Sequence, residues 1–319
     1  MFKKALFCAA GLMCFSVHGQ SLGKERFNII APFPPGGPVD VLARILGDGL
    51  AKKFGTSFVV ENIPGGAGNI GMDKAKRAKP DGHTLLVIPA GNITINPTLM
   101  PKFPFEIEKD FTPITMLAKA PNVLVASSSA GIRNVSELIA QAKAKPGALN
   151  FASPGVGSGL HLAGELLKAQ TGIEMTHVPY KGSAPALNDV LGGQVPLMFS
   201  NLPAAQPHIK SGKLIAIGIT DNARSVSAPD IPTLAEQGIA GVVVVSWYGL
   251  FAPANTPASV VEQLYIATKE IISAPPVREQ LGAQAIVEVL NTPAQFATYI
   301  ASETATWAKI IRSKNITAE

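Results

Sequence analysis

The chain is poor in aromatic and in charged residues. Only 6% of its 319 residues are aromatic and 15% are charged, whereas 47% are apolar. A nucleic-acid surface needs stacking rings and a concentrated positive patch, but the 27 basic residues are thinly spread despite a formal net charge of +5. The composition therefore excludes a disordered chain and a coiled coil, and it argues against a nucleic-acid partner. It predicts a globular protein long enough for two domains.

Cysteine is nearly absent, and Cys8 and Cys14 both fall near the start of the chain. Two lysines there precede the apolar run 5–17, and Gly19 offers a small residue for cleavage, which is typical of a signal peptide over residues 1–19. The run is shorter than the roughly 20 residues that span a bilayer. Without this segment the chain has no cysteine, so we expect no disulfide, no thiol chemistry and an exported, periplasmic protein.

Short apolar runs alternate with helical patterns through the rest of the chain. The runs are 27–33, 57–61, 84–88, 123–126, 149–152, 194–199, 214–220 and 249–252. Such alternation predicts an α/β protein with mostly parallel sheets flanked by helices.

Three helices are well specified by their residues. Leu42 and Leu46 belong to the apolar face of an amphipathic helix. The threonine–proline pairs 256–257 and 292–293 each predict a helix start, with threonine as N-cap and proline as first helical residue. Trp307 lies at helical spacing from other apolar residues of the last helix, so we predict that it is buried in the core.

One structural unit occurs twice. Strand 27–33 runs into loop 1 (residues 34–37), and strand 149–152 runs into loop 2 (residues 153–159); each loop is rich in glycine and proline and precedes a helix. Ligands bind outside the carboxyl ends of strands in open α/β sheets, so two facing loops would form a cleft between two lobes. N–H groups at helix starts carry partial positive charge, so the pair of loops predicts a small-anion site. For either loop alone, an ordinary turn is the alternative.

Several side chains near these loops allow two interpretations. Asp40 falls in the first turn of its helix, where it either stabilises the helix dipole or contacts a ligand. His161 also falls in a first turn, four residues before Glu165, as an exposed pair or as a ligand contact. Tyr180 and Lys181 offer a hydroxyl and a cation to an acidic ligand, or are simply solvated.

Other motifs point to no cofactor, no metal and no catalytic residue. Gly66, Gly68 and Gly71 match the dinucleotide pattern G-x-G-x-x-G, but they do not follow a strand directly and lack the acidic residue about 20 positions later. No G-x-S-x-G nucleophile motif is present. The histidines lack the spacing of metal ligands.

Several stretches make the chain resemble a known family. They are 31–44 (APFPPGGPVDVLAR), 60–71 (VENIPGGAGNIG), 80–85 (PDGHTL), 157–167 (GSGLHLAGELL), 178–186 (VPYKGSAPA), 232–238 (PTLAEQG) and 247–257 (WYGLFAPANTP). In combination they resemble the Bug-type solute-binding proteins, the extracytoplasmic receptors of tripartite tricarboxylate transporters. The resemblance implies a two-lobed, type II-like periplasmic binding fold with a ligand cleft. Lobe 1 would comprise residues 20–120 and 246–319, and lobe 2 residues 121–245.

The resemblance also implies a function and a site. The protein would be a monomeric, non-enzymatic receptor that captures a small organic carboxylate and delivers it to membrane permease subunits. The implied ligand-binding residues are Phe33, Gly36, Gly37, Val39 and Asp40 around loop 1, Gly157, Ser158, Gly159 and His161 around loop 2, and Ala90, Asn92, Tyr180, Lys181, Ser200 and Trp247 farther out. Family members commonly carry aspartate where this chain has Ser200, so we expect a carboxylate without an α-amino group.

Two other functions stay open on the sequence. One is an exported enzyme that processes carboxylates with His161 as its base. The other is a receptor that reports its ligand to a signalling partner, which uses the same closed form as transport.

Overall fold

The computed structural model describes residues 22–283 and 285–318. The expected signal peptide, residues 1–19, lies outside this part of the chain. Among the helices that the structure describes, none is both long enough and apolar enough to cross a membrane.

Strands and helices alternate along the described chain. The strands are β1 (Phe27–Ala31), β2 (Phe58–Asn62), β3 (Thr84–Pro89), β4 (Phe111–Ala120), β5 (Asn122–Ser127), β6 (Asn150–Ser153), β7 (Thr176–Pro179), β8 (Leu197–Asn201), β9 (Leu214–Ile219), β10 (Ser246–Pro253) and β11 (Val287–Glu288). The α-helices are α1 (Pro38–Phe54), α2 (Asn69–Lys76), α3 (Asn96–Leu99), α4 (Ile107–Asp110), α5 (Val135–Ala144), α6 (Gly159–Thr171), α7 (Ser183–Leu191), α8 (Leu202–Lys210), α9 (Ala258–Ser273), α10 (Pro275–Ala283) and α11 (Pro293–Ser313).

Two sheets form the cores of two lobes. The sheet of lobe 1 has the order β11-β4-β10-β3-β1-β2, and the sheet of lobe 2 has the order β7-β6-β8-β5-β9. The chain passes to lobe 2 between β4 and β5 and returns to lobe 1 before β10. The two-lobed α/β architecture expected from the sequence is therefore present. The limits at 120 and 246 stay a prediction as domain boundaries.

Both sheets are mixed, so the expectation of mostly parallel sheets is wrong in this detail. β1 pairs in parallel with β2 and β3, and β6 pairs in parallel with β7 and β8. β10 is antiparallel to β3 and β4, and β5 is antiparallel to β8 and β9. β5 and β10 are the first strands after each crossing. Each of these two strands starts at the side of its sheet that faces the other lobe. The carboxyl ends of the parallel strands lie at that same side, so β5 and β10 run antiparallel to them.

The strand β4 is absent from the sequence-based expectations. Its sequence, FTPITMLAKA, contains Pro113, and proline inside a run argues against a central strand. Here β4 pairs along its length with β10, and the register shifts twice, between Tyr248 and Gly249 and, beside this proline, between Leu250 and Phe251. Long-range pairing thus outweighs the local sequence signal.

The two threonine–proline pairs give different outcomes. Thr292 is the N-cap of α11 and forms a capping box with Gln295, as its sequence predicts. The prediction for Thr256 is wrong, because Pro257 occupies the N-cap position of α9 and gives it no side-chain cap. The Thr256 hydroxyl instead donates to the carbonyl oxygen of Pro253, at 2.8 Å.

The last helix packs against both lobes. Phe296 and Ile300 of α11 belong to an apolar cluster of lobe 1. Trp307 and Ile311, farther along the same helix, belong to a cluster that joins Ile95 and Leu99 of lobe 1 to the apolar core of lobe 2. Trp307 is 7% exposed, which confirms that it is a core residue. α11 therefore connects the lobes in addition to the two crossings.

Candidate functional site

A cavity of about 720 Å³, part of it open to solvent, lies between the two lobes at the carboxyl ends of their strands. Its wall in lobe 1 consists of Phe33, Pro34, Gly37, Pro38, Val39, Ala67, Pro89, Gly91, Asn92, Asn96, Ser246 and Tyr248. Its wall in lobe 2 consists of Pro154, Gly155, Val156, Gly157, Ser158, Gly159, Leu160, Gly182, Ser183, Ala184 and Asn201. Loops 1 and 2 thus face the same space, as their recurrence predicts.

Loop 1 is held by the side chain of Asp40. The Gly36 N–H donates to Asp40 Oδ2 at 3.1 Å, and Gly36 adopts a φ of +88°. Arg44 forms an ion pair with the same carboxylate at 2.9 Å, and Asn62 donates to it at 3.0 Å. Burial alone would raise the pKa of Asp40, but hydrogen bonds from Arg44, Asn62 and Gly36 together hold it below its usual value. The buried carboxylate is therefore fully engaged in shaping the loop.

Loop 2 is held in the same way by a neutral group. The Gly157 N–H donates to His161 Nδ1 at 3.2 Å, so this nitrogen carries a lone pair. The imidazole stacks on that of His177 with 4.1 Å between ring centroids, and His177 Nε2 contacts the Ser153 hydroxyl at 2.6 Å. Burial, with smaller effects of His177 and Lys168, lowers the pKa of His161 to about 3. His161 is 3% exposed, so its interpretation as an exposed pair with Glu165 is wrong.

A third helix start reaches the cavity, and sequence analysis missed it. Gly182, Ser183 and Ala184 open α7 and line the wall beside loop 2. The predicted residues Tyr180 and Lys181 precede this turn and line a neighbouring cleft instead of the cavity wall. The signal in the sequence was the glycine followed by Ser183, a pattern that begins a helix, rather than the hydroxyl and the cation before it.

Two residues of lobe 1 touch loop 2 closely. Gly157 has a φ of +76°, and a Cβ atom placed on it would lie 1.8 Å from Asn96 Oδ1. A Cβ atom on Gly91 would lie 2.4 Å from the carbonyl oxygen of Gly157. Asn96 Oδ1 is buried without a hydrogen-bond partner. Glycine is required at Gly91 because the backbone of loop 2 leaves no room for a Cβ atom, and at Gly157 because the Asn96 side chain and the positive φ both disfavour one.

The structure divides the sequence-predicted residues into two groups. In the cavity wall are Phe33, Gly37, Val39, Asn92, Gly157, Ser158 and Gly159. Outside that wall are Gly36, Asp40, Ala90, His161, Tyr180, Lys181, Ser200 and Trp247. Contact with a ligand stays a prediction for both groups.

Four residues outside the wall have other partners or places. The Tyr180 hydroxyl donates to Asp189 at 2.6 Å, and burial together with this carboxylate raises the Tyr180 pKa to about 12. Lys181 lines a neighbouring cleft at the cavity mouth. The Ser200 hydroxyl donates to the carbonyl oxygen of its neighbour in β8 at 3.2 Å. Trp247 Nε1 donates to Glu303 at 2.7 Å.

The far wall, the part of the cavity wall away from loops 1 and 2, includes the amide of Asn201 and the hydroxyl of Ser246, which the sequence did not indicate. Asn201, next to Ser200, lines the cavity and donates to Asn122 at 2.8 Å and to the Ser246 hydroxyl at 2.9 Å. Asn122 and Ser246 stand just after the first crossing and at the second. The wall is therefore linked by hydrogen bonds to both crossings.

The described cavity wall contains no lysine, arginine, histidine, aspartate or glutamate. It offers instead the first turns of α1, α6 and α7, whose leading N–H groups have no acceptor within their helices. Those turns carry partial positive charge, which favours an anion in a space shielded from water.

Comparison with known proteins places the chain. A family model described as "Tripartite tricarboxylate transporter family receptor" (TctC) matches residues 42–316. The chain belongs to this receptor family. Among the similar curated proteins, BugT of Bordetella pertussis is 36% identical over 308 residues, which cover 96% of this chain and 94% of that protein. The resemblance to the Bug-type receptors is thus confirmed.

Two similar solved structures agree with the fold. An R. palustris protein with adipate is 31% identical, with a TM-score of 0.87 over 92% of this chain and 98% of that one. MatC from Rhodopseudomonas palustris with bound malate is 31% identical, with a TM-score of 0.86 over 90% of this chain and 99% of that one. The chain is a two-lobed solute-binding receptor of the TctC family.

Proposed function

We propose that this receptor binds a small organic carboxylate in the cavity between its lobes. One observation carries the proposal: three helix starts converge on a cavity whose described wall has no charged side chain. The carboxylate would be held by N–H groups at the starts of α1 and α6. The similar receptors solved with adipate and malate support this ligand class.

Neutral donors suffice to hold one carboxylate here. Hydrogen bonds to a charged group each contribute about 1.5–3 kcal/mol. Four or five of them, shared by the two loops, offset the cost of association and reach about −8 kcal/mol, the binding free energy of a micromolar complex. The Asp40 and His161 side chains, engaged with Gly36 and Gly157, preorganise the two loops and lower the cost of ordering them.

The neutral far wall favours a ligand without an α-amino group. Asn92, Asn96, Asn201 and the Ser246 hydroxyl lie there, and an ammonium group would find no carboxylate partner among the described wall residues. A buried charge without a partner is costly. Asn201 lines the wall and Ser200 does not. We therefore expect Asn201, rather than Ser200, to discriminate between carboxylates with and without an α-amino group.

The first experiment compares acids with their neutral amides. The exported protein is freed of ligand by partial unfolding and dialysis. It is then screened by thermal shift and calorimetry against aliphatic, aromatic, di- and tricarboxylic acids, amino acids and the matching primary amides. We expect at least one acid to bind about 100-fold more tightly than its amide, because the amide lacks the charge that the helix starts favour. Equal binding of acid and amide, or no binding of any acid, contradicts the proposal.

The same experiment tests the ligand class more finely. Aspartate and glutamate are expected to bind more weakly than the best non-amino carboxylate. Clearly tighter binding of either amino acid than of every non-amino carboxylate would overturn this part of the proposal.

The role is delivery of the ligand to membrane permease subunits, from the periplasm and as a monomer. Family membership supports transport rather than signalling. The position of His161 supports binding rather than catalysis. Its Nδ1 accepts the Gly157 N–H, its ring lies outside the cavity wall, and its pKa of about 3 makes it a poor base.

Ligand capture would close the lobes about the two crossings. Asn201 links the cavity wall to Asn122 and Ser246 at those crossings, so a ligand that contacts it also contacts the hinge. Because α11 packs on both lobes, opening must bend this helix or move its last turns off lobe 2. Small-angle scattering that stays unchanged while calorimetry shows saturable binding would rule out closure.

A further inference from the structure

A second polar cluster lies at the end of lobe 1 opposite the cavity. Glu25 precedes β1 and His83 precedes β3, so both stand at the amino ends of parallel strands, whereas the cavity lies at the carboxyl ends. Asp81 belongs to the turn before His83. One ligand atom from each of the three residues lies within 4.8 Å of the others. Glu25 lies far from Asp81 and His83 in the sequence, so no local spacing pattern of metal ligands includes all three residues.

The two ring nitrogens of His83 differ in their partners. His83 Nε2 donates to the carbonyl oxygen of Gly23 at 3.2 Å, because a carbonyl oxygen only accepts. Nδ1 has no hydrogen-bond partner although His83 is only 8% exposed. Asp81 Oδ1, on a partly exposed carboxylate, lies 3.4 Å from Nδ1. A buried nitrogen without a partner beside a carboxylate oxygen offers two ligand atoms to a cation.

We propose that His83, Asp81 and Glu25 form a site for a divalent first-row transition metal ion, with Zn²⁺ as the best fit. One imidazole nitrogen and two carboxylate oxygens form a donor set that Zn²⁺ accepts, and water completes its coordination. Ligand atoms about 2.1 Å from a tetrahedral ion stand about 3.4 Å apart. The distance between His83 Nδ1 and Asp81 Oδ1 is 3.4 Å, too long for a hydrogen bond and suited to two ligands of one ion.

The surroundings fix the ligands and neutralise part of the competing charge. The His83 backbone N–H donates to Asp81 Oδ1 at 2.9 Å, which orients the carboxylate toward the ring. Four basic side chains line the same groove. Lys74 is paired with Glu61 and Arg77 with its neighbour at position 73, whereas Arg26 and Lys79 leave positive charge that a bound cation would have to tolerate.

A metal ion here would fasten the first described segment of the chain to β3. Gly23 already accepts from His83, and the Thr56 hydroxyl donates to the carbonyl oxygens of Lys24 and Glu25 at 3.1 and 3.0 Å. Coordination by the exposed Glu25 side chain would add a bond between residues 22–26 and the turn at 81–83. The site would therefore stabilise lobe 1 without touching the ligand cavity.

The test uses the exported protein, purified without a polyhistidine tag and treated with a chelator. Calorimetry with ZnCl₂ is expected to show one ion per chain, and binding at least about tenfold weaker in His83→Gln and in Glu25→Gln. The control His208→Gln, a histidine on α8 in the other lobe, should bind as wild type does. Hydrogen exchange should slow on Zn²⁺ addition at residues 22–26 and 81–84.

Each other result overturns the proposal. Absent Zn²⁺ binding in the wild type, or equal binding in His83→Gln and the wild type, would show that the cluster is not a metal site. Preference for Ca²⁺ or Mg²⁺ over Zn²⁺ would exclude the transition-metal assignment. If His83→Gln fails to fold, the exposed Glu25→Gln variant and the visible spectrum of the Co²⁺-substituted wild type decide, because tetrahedral Co²⁺ with a nitrogen ligand absorbs strongly.

Discussion

Loops 1 and 2 use one structural device with acceptors of different charge. In each loop a glycine N–H donates to the side chain four residues later, Gly36 to Asp40 and Gly157 to His161. The acceptor of loop 1 is a carboxylate whose charge Arg44 balances, whereas that of loop 2 is a neutral imidazole. The loop geometry thus requires an acceptor at this position but not a charge.

The loops also differ in how the opposite lobe contacts them. Gly36 has open space around the position of a Cβ atom, with nothing within 4 Å. Gly157 is covered by Asn96 of lobe 1. Loop 2 therefore depends on closure in a way that loop 1 does not, and mutations can separate the two.

The largest expected effect is that of Gly157→Ala on ligand affinity. The added methyl group meets Asn96 and the backbone is held at a φ of +76°, so the closed form pays both a clash and left-handed strain. We expect the affinity for the best carboxylate to fall about 100-fold by calorimetry, against less than about tenfold for Gly36→Ala.

Gly131→Ala is the matched control for strain. Gly131 also has a positive φ, of +68°, with open space around the position of a Cβ atom. It is not a residue of the cavity wall. The Gly131→Ala variant should lose about 1–2 kcal/mol in its free energy of unfolding and should bind the best carboxylate with unchanged affinity. Equal affinity losses in the Gly157 and Gly36 variants would refute the difference between the loops.

The second prediction uses pH to separate the two acceptors. The His161 pKa is about 3 in the folded protein and near 6.5 when unfolded, so below pH 6.5 the unfolded chain binds the extra proton. The free energy of unfolding should therefore fall as the pH drops from 6.5 to 4.5, by up to about 1.4 kcal/mol per pH unit from this residue. The lowered pKa of Asp40 affects the free energy of unfolding only below about pH 4, where the carboxylate of the unfolded chain takes up a proton.

Chemical denaturation of two variants checks this assignment. His161→Asn keeps an acceptor for Gly157 but does not titrate, so the slope between pH 6.5 and 4.5 should decrease. The part that remains is due to His177, whose pKa is lowered to about 4 by burial and, to a smaller extent, by Lys168. Asp40→Asn should leave the slope in this range unchanged. A slope that Asp40→Asn reduces and His161→Asn does not would reverse the assignment.

The smallest expected effect is that of Lys181→Ala. This side chain lies at the mouth of the cavity rather than in its wall, where charge steers a ligand more than it holds it. Stopped-flow measurements should show a slower, less salt-dependent association, with the equilibrium affinity changed by less than about threefold. A loss of affinity as large as that of Gly157→Ala would place Lys181 at the ligand.

Local features of this protein were predictable from the sequence because they depend on neighbours along the chain. The strand–loop–helix units, the helix after loop 1, the N-cap at Thr292 and the buried Trp307 follow from spacing and residue type. The start of α7 was missed because its only local signal is a glycine followed by Ser183, whereas the polar side chains of Tyr180 and Lys181 just before it suggest ligand contacts. The strands β5 and β10 were predicted, but their reversed direction was missed because a strand's direction depends on which lobe the chain has just left.

The sequence by itself determined the α/β class, the two loops with helix starts behind them, and the family. Tertiary structure alone decided which groups face the ligand and which serve the loops. Asp40 and His161 are polar residues beside glycine loops, and only their contacts show that both are occupied with backbone N–H groups. Asn96 on Gly157, Asn201 at the crossings, and Glu25 beside His83 join residues far apart in sequence, and no local pattern encodes such contacts.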